Sequence, residues 1–574
     1  MGPRKAIVTA CLIGTAFGSP FFAFGQDPHA GHKMPATAEA TKSVAEGEQA
    51  KAARPVWDPT AGSLEGLKSA TGPSVVELHE GKTYELRASI VKQSIGGKVF
   101  RRFAYNGSIP GPLFKVRQGV ETKVRFVNDT DVETSIHSHG LRHDYRFDGA
   151  IGLSQPKAVK PGETFEYVLK FPDAGIFWYH PHVREDYQQD MGLMGNFLVE
   201  PKSGSHWAPV DREEVLMLDD VLAKAPVPYL IDVANHAIMG RYGDTLLVNG
   251  LENARLSYRP GETARLFVTN AANTRTFKLM FHGAEAKLVG ADLSPFEKEI
   301  KVSTVTIAPG ERYVIEVKFP LEGSVEIMNH TPQGMAPLVV FDPKGAPVGA
   351  SRAQFAKLRA NKALKKEVDA FVARGAKAKI RRLELGVTMG GGSQGHTGHG
   401  AHGATSGTGG GHSSHGGHGG HGGHSPTGSS TTAVKDVPWV PAEAKIEWED
   451  GMKAMNEAST SDTVLWKMTD GTGRTNMNVN WSLRKGEAVR ILVDNSKGGE
   501  HPMQHPIHFH GQRFVVLSVN GKKVTNRAWK DTVLVGLGDK VEILLDASNP
   551  GKWMAHCHIA EHLTSGMMTG FEVK

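Results

Sequence analysis

The sequence predicts an all-β protein of three consecutive Greek-key β-sandwich domains, and three observations carry that expectation. Short runs such as "ETKVRFVND" (121 to 129) and "TFEYVLKFPD" (164 to 173) alternate apolar and polar residues with period two, the pattern of strands buried on one face. These runs are bounded throughout by Gly, Pro, Asn and Asp, which favour turns. The segment "RQGVETKVRFVNDT" (117 to 130) returns as "RPGETARLFVTNAA" (259 to 272) and "RKGEAVRILVDNS" (484 to 496). Three copies of one turn, strand and polar ending imply three related sandwiches.

The chain divides accordingly. Residues 1 to 25 read as a secretory signal, with Arg4 and Lys5 before an apolar run and Ala23-Phe24-Gly25 for cleavage. Val8-Thr9-Ala10-Cys11 loosely resembles a lipoprotein box, but the apolar residues follow that cysteine instead of preceding it. Residues 26 to 73, rich in Ala, Lys, Glu and Pro, read as a mobile arm. The three domains are then expected at 74–201, 205–345 and 380–574. A helical, solvated linker joins the last two at 346–379. Within the third domain, 390–425 is a Gly/Ser/His tract with eight histidines; its composition cannot pack a core.

The net charge of +6 falls to +4 without Arg4 and Lys5. No basic patch interleaves with aromatics, so no nucleic-acid partner is expected. No segment after the leader approaches the ~20 apolar residues of a membrane span, so an exported monomer, periplasmic or secreted, is the expectation. Removal of the leader takes Cys11 and leaves Cys557 as an odd thiol in an oxidising compartment.

That thiol lies in "MAHCHIAEHLTSGM" (554 to 567), flanked on both sides by histidine. Four His-x-His pairs occur: His137/His139, His180/His182, His508/His510 and His556/His558. In an extended strand such a pair points to one face, its members roughly 6 to 7 Å apart. Eight imidazoles exceed the needs of one metal ion. Cys557, His562 and Met567 stand at Cys-x4-His-x4-Met, and His505 lies three residues before His508. A lone thiolate, two imidazoles and a thioether are the donor set of a blue-copper electron-transfer site. Zinc sites instead favour several cysteines or an open water position. The cysteine of His556-Cys557-His558 should point away from its neighbours, so one short segment can join two metal sites.

These motifs resemble those of the multicopper oxidases, the laccase and copper-efflux-oxidase family of three cupredoxin-like domains. The likeness extends to "NGSIPGPLFKVRQG" in the first domain and "GDTLLVNG" in the second. It implies four coppers per chain. His505, Cys557, His562 and Met567 would hold type 1 copper, and His137 and His508 type 2. His139, His180, His182, His510, His556 and His558 would hold the type 3 pair. The middle domain would act mainly as a spacer. The implied reaction oxidises a reducing substrate one electron at a time and reduces O2 to water. Asp148 occupies the position of an acidic residue that relays protons in efflux-type relatives. Two positions depart from the pattern: Ser138 stands where many relatives have Trp, and Leu563 where efflux-type relatives have Glu. Glu561 nearby is expected to be an exposed strand-end carboxylate.

The resemblance leaves the donor open between phenols or aromatic amines, as in laccases, and Cu(I), as in copper resistance. A non-catalytic copper-binding protein is the third reading, disfavoured by the complete ligand set. The His-rich tract at 390–425 could hold extra copper, although it has almost no methionine for Cu(I).

Overall fold

The computed structural model describes residues 54–202, 206–349, 354–390, 439–499 and 501–574. The signal sequence, the arm up to residue 53 and the His-rich tract from 391 onward lie outside the described residues.

The strands form three two-sheet units. The first pairs a four-stranded sheet (Lys98–Tyr105, Thr83–Ile95, Glu121–Asp129 and Thr164–Lys170, in spatial order) with a five-stranded sheet carrying Gly175–His180 and His137–His139 at one end. The second and third each pair a six-stranded with a five-stranded sheet. In the third, Gly551–Cys557 and His505–Phe509 are neighbours in the five-stranded sheet. The fold is the expected all-β cupredoxin type.

The three sequence repeats occupy one topological position. Glu121–Asp129, Thr263–Asn270 and Glu487–Asp494 each have a parallel neighbour on one side and an antiparallel neighbour on the other. Each repeat also ends on a buried asparagine that performs the same task. The Asn128 side-chain amide donates to the Val132 and Val159 carbonyls at 2.7 and 2.9 Å. Asn270 donates to those of Arg275 and Ile307, and Asn495 to those of Met503 and Gly536, all at 2.8 to 3.0 Å. One side chain therefore satisfies two strand-end carbonyls that would otherwise be buried unpaired.

Two boundaries differ from the sequence expectation. Residues 54 to 73 are not part of a free arm: Val56–Trp57 pairs antiparallel with Tyr229–Leu230, and Trp57 is buried with its ring centroid 5.3 Å from that of Phe103. One aromatic anchor ties down a stretch whose average composition is polar. The linker contains the helix Lys362–Gly375, capped by Asn361 accepting from the Leu364 amide at 3.0 Å. It is not merely solvated, since Leu364, Val368 and Phe371 form a buried stripe and Phe371 meets Trp529. Among the described residues no helix is long and apolar enough to cross a membrane.

The Asn270→Ala substitution strands two buried carbonyls at about 1–3 kcal/mol each. The urea midpoint for unfolding should fall clearly, whereas a half-buried control at the surface such as Asn526→Ala, whose side chain bonds only the Lys298 backbone, should shift it far less.

Candidate metal centre

Strand register decides which side chains share a face. Ile507 pairs with Cys557 and His508 with His556; directly paired residues project to the same side of a sheet. Odd positions 505 and 557 therefore face one way, and 508, 510 and 556 the other. On the first face Cys557 Sγ lies 3.6 Å from His505 Nδ1 and 3.8 Å from His562 Nδ1. His562 enters from the short helix Ala560–Thr564 that follows the strand. Met567 is fully buried in the same core, and its carbonyl accepts from the Cys557 amide at 3.0 Å. Trp466 stacks on His562 with centroids 3.9 Å apart. Burial pushes the Cys557 thiol up and holds His505 down at about 3.

On the second face the first domain meets the third. His137 pairs with His180 across adjacent strands, and the eight histidines of the four pairs are all buried. Their rings form neighbouring groups. His139, His180 and His558 have centroids 5.0 to 5.9 Å apart. His182, His510 and His556 lie 4.9 to 5.3 Å apart, and His137 lies 5.8 Å from His508.

In six of the eight rings a hydrogen bond fixes which nitrogen carries the proton. His137 Nδ1 donates to the Asp148 carbonyl at 2.8 Å, His508 Nδ1 to the Asp531 carbonyl at 3.0 Å, and His180 Nδ1 to the Pro181 carbonyl at 2.9 Å. His510 Nδ1 donates to Asp148 Oδ2 at 2.8 Å, and His556 Nδ1 to the Cys557 carbonyl at 2.7 Å. His139 is reversed, with Nε2 directed to Asp531 Oδ1 at 3.1 Å. Each ring then turns a lone pair inward. Nε2 of His137, His180, His182, His508 and His558, and Nδ1 of His139, find no protein partner. His510 Nε2 and His556 Nε2 face each other at 2.9 Å. Two lone pairs opposed at that distance repel unless a cation lies between their rings. The donor set thus fits bound metal, and imidazole with one thiolate suits copper. Burial, the largest influence, keeps His139, His180, His510, His556 and His558 well below the usual imidazole range, hence neutral and able to ligate.

Asp148 is fully buried in the turn after His137 and His139. Burial raises its pKa, but His510 and His137 outweigh burial and hold the carboxyl well below its usual range. Gly149 makes the turn possible: at φ 84° a Cβ would fall 2.1 Å from the Ile136 carbonyl oxygen.

Sequence reasoning missed Asp531, Arg312 and Trp178. Asp531 contacts His139 and receives a bidentate pair from Arg312 of the middle domain, both bonds at 2.6 Å. Trp178 stacks on His180 at 4.2 Å. The middle domain is therefore no mere spacer. It supplies Arg312, and its Ile238 carbonyl lies 3.3 Å from His562 Nε2. Glu561 is also corrected. It is buried on the helix Ala560–Thr564, where Asn273 and Thr274 of the middle domain donate to it at 3.2 Å. Burial, reinforced by Asp186, pushes it up to about 8. Helix formation directly after Cys557 is what turned this position inward.

Three sequence segments match multicopper oxidase family models, at residues 90–204, 213–325 and 450–574. The chain belongs to the multicopper oxidase family, the class that its three cupredoxin-type domains and converging imidazoles define. It is a copper-dependent oxidoreductase. It is similar to the multicopper oxidase mco of Staphylococcus aureus, with 24% identity across 89% of this chain and 94% of that one. Laccase-1 of Fomitopsis schrenkii is 25% identical over 80% of each chain. Copper resistance protein A of Pseudomonas syringae pv. tomato is 26% identical over 44% of this chain and 48% of its own. The crystal structure of a multi-copper oxidase from Pseudomonas Thermotolerans superposes with a TM-score of 0.60 at 25% identity, over 87% of this chain and all of the other.

Arg312→Leu leaves the Asp531 carboxylate buried without its partner, a loss of about 3–5 kcal/mol. Chemical denaturation should show that loss, and Arg312→Lys should recover part of it because a lysine keeps the charge but not the two-pronged geometry.

Proposed function

We propose that the protein couples one-electron oxidation of a reducing substrate to four-electron reduction of O2 to water, with laccase-like donors such as phenols or aromatic amines. The observation that carries this reading is Cys557 itself. Its thiol sits among His505 and His562, while its chain neighbours His556 and His558 lie among the imidazoles of the opposite face.

In this reading His505, Cys557, His562 and Met567 hold a type 1 copper. His137 and His508 hold a type 2 copper, and His139, His180, His558 with His182, His510, His556 hold a type 3 pair. Four coppers per chain, when bound, would pass single electrons from the donor towards O2. The chain's own residues do the rest. Asp148, Asp531 and the backbone carbonyls fix the ring orientations by accepting from the outward nitrogens. The short covalent run from Cys557 to its flanking histidines links the two faces. Asp148, an ionised carboxylate against His137 and His510, accepts a proton from water and passes it on, returning to the carboxylate. The protein acts as an exported, periplasmic or secreted monomer, and the His-rich tract adds copper-binding capacity.

One observation favours a second reading, a cuprous oxidase of copper resistance. His505 and His562 are buried beneath the segment 234 to 240 of the middle domain. At its margin His501 Nε2 meets Met239 Sδ at 2.9 Å. An imidazole and a thioether together suit Cu(I), and a small ion needs less access than a phenol.

Oxygen uptake with a phenol and with Cu(I) as donor, on the full-length protein and on Cys557→Ser, tests both readings. Cys557→Ser should lose absorption near 600 nm and turnover of either donor while its remaining copper stays bound. A colourless, oxygen-inert parent protein would overturn the oxidase reading. If Cu(I) is the donor, Met239→Leu should raise the KM for Cu(I) severalfold and leave phenol turnover unchanged; equal effects on both donors would remove the second reading.

A further inference from the structure

We propose that Glu185 is a positioning residue for the oxygen-reducing centre: it sets the His182 ring, and Arg184 beside it is clamped to the middle domain to hold it there. The inference rests on the assignment of His182, His510 and His556 to one copper of the type 3 pair. It adds a residue and a domain contact that lie outside the four ligand motifs.

Glu185 Oε1 lies 2.9 Å from His182 Nδ1, and both side chains are buried. Among the described residues no other group pairs with the Glu185 carboxylate. The His182 amide donates to Ser135 Oγ at 3.2 Å, while Nε2 of the ring has no partner in the protein. A carboxylate accepts and cannot donate, so its approach to Nδ1 keeps the ring proton on that nitrogen and leaves the Nε2 lone pair for a metal ion. Glu185 thus does for His182 what Asp148 and the Cys557 carbonyl do for His510 and His556 in the same group.

The backbone that delivers Glu185 is held from the middle domain. Arg184 adopts φ 46° and ψ 55°, and the helix Glu185–Gln188 begins after it with no side-chain cap. A non-glycine residue stays in that left-handed region only where its surroundings enforce it. The Arg184 guanidinium supplies the enforcement. It grips Asp186 with two nitrogens, both at 2.8 Å, and donates to the middle-domain carbonyls of Leu230, Ile231 and Val233. Asn273 of the same domain donates to the Asp186 carbonyl at 2.7 Å.

The result is an unequal distribution of charge over the two groups of three rings. In one, His510 and His182 face Asp148 and Glu185, and neither carboxylate pairs with a lysine or arginine among the described residues. In the other, His139 faces Asp531, whose charge Arg312 offsets. Negative charge behind two rings of one group makes those imidazoles stronger donors and favours a cation held between them. Glu185 therefore tightens the hold of His182, His510 and His556 on their copper.

The test uses the full chain, copper-free and copper-loaded, with Glu185→Leu, Glu185→Gln and Arg184→Gly. In the copper-free parent, nitrogen NMR should find the His182 proton on Nδ1. Glu185→Gln should keep it there through its amide oxygen, whereas Glu185→Leu should give a mixture of tautomers. In the copper-loaded chain, Glu185→Leu should weaken the hold on one copper about 10- to 100-fold in competition with a chelator, and leave the visible absorption of the Cys557 copper unchanged. Glu185→Gln, which keeps an acceptor but no charge, should fall between. Arg184→Gly keeps Glu185 and tolerates the left-handed backbone, so it should weaken the same copper severalfold through loss of the clamp alone; parental affinity there would overturn the clamp. A proton on Nε2 in the parent, or parental copper affinity in Glu185→Gln together with Glu185→Leu, would overturn the inference; if Glu185→Leu fails to fold, Glu185→Gln decides by itself. A crystal structure of the copper-loaded parent with no copper on His182 would overturn the assignment of the site and the inference with it, whereas unaffected variants of a parent with copper there overturn the inference alone.

Discussion

The site depends on one register, that between His505–Phe509 and Gly551–Cys557. Because side chains alternate across a sheet, a slip of one residue would carry every side chain of a strand to the wrong face. With Ile507 opposite Cys557, the thiol shares a face with His505, and His556 shares the other with His508. The register is pinned from outside the pair. Cys557's strand is also zipped to Met568–Val573 from Gly551 to His556, and His505–Phe509 is zipped to Thr532–Val535. Two sites with different donors thus become consequences of one alignment.

A second constraint follows from crowding eight imidazoles into a buried space. Protonated rings at these separations would repel strongly, whereas neutral rings must each present one N–H and one lone pair. The N–H groups are drawn outward by carbonyls and by Asp148 and Asp531. Those carboxylates in turn need compensation. Arg312 provides it for Asp531, and Lys530 pairs with Asp292 and Glu311 alongside. Gly140, at φ 83°, leaves room for this network: a Cβ there would lie 2.4 Å from Asp531 Oδ2 and 2.7 Å from Arg312 Nη2. The middle domain therefore participates in centring the cluster through charge, although it contributes none of the eight imidazoles.

Much of this was legible in the sequence because it obeys short periods. Alternation over two residues exposed the strands and the His-x-His pairs, and a repeat of the same turn, strand and polar ending exposed the threefold architecture. What was missed depends on contacts between residues far apart. Asp531 sits in "WKDTV" with no nearby partner to mark it, and Arg312 lies 219 positions away. Glu561 was misplaced because extending the strand geometry past Cys557 ignored the helical turn at Ala560–Thr564. Trp57 shows the limit of composition: a polar stretch of chain is held by one side chain whose contacts, Phe103 and the Tyr229–Leu230 strand, lie elsewhere in sequence.

The same geometry accounts for Leu563 in place of an acidic residue. Leu563 is buried against Ala150 and Met554, so the side of the helix Ala560–Thr564 that faces the first domain is closed by apolar contact. Glu561, one turn position away from it, is directed instead to the middle domain, where Asn273 and Thr274 occupy both of its oxygens. The acidic group has therefore not been replaced in kind; it serves to hold the helix bearing His562 against the middle domain. Asp148 differs in having both oxygens among imidazoles, one accepting from His510 at 2.8 Å and the other 3.2 Å from His137 Nδ1. A carboxylate set against two imidazoles of the cluster is suited to orienting those rings, whereas a carboxyl engaged at both oxygens by the middle domain is suited to fixing a backbone element in place.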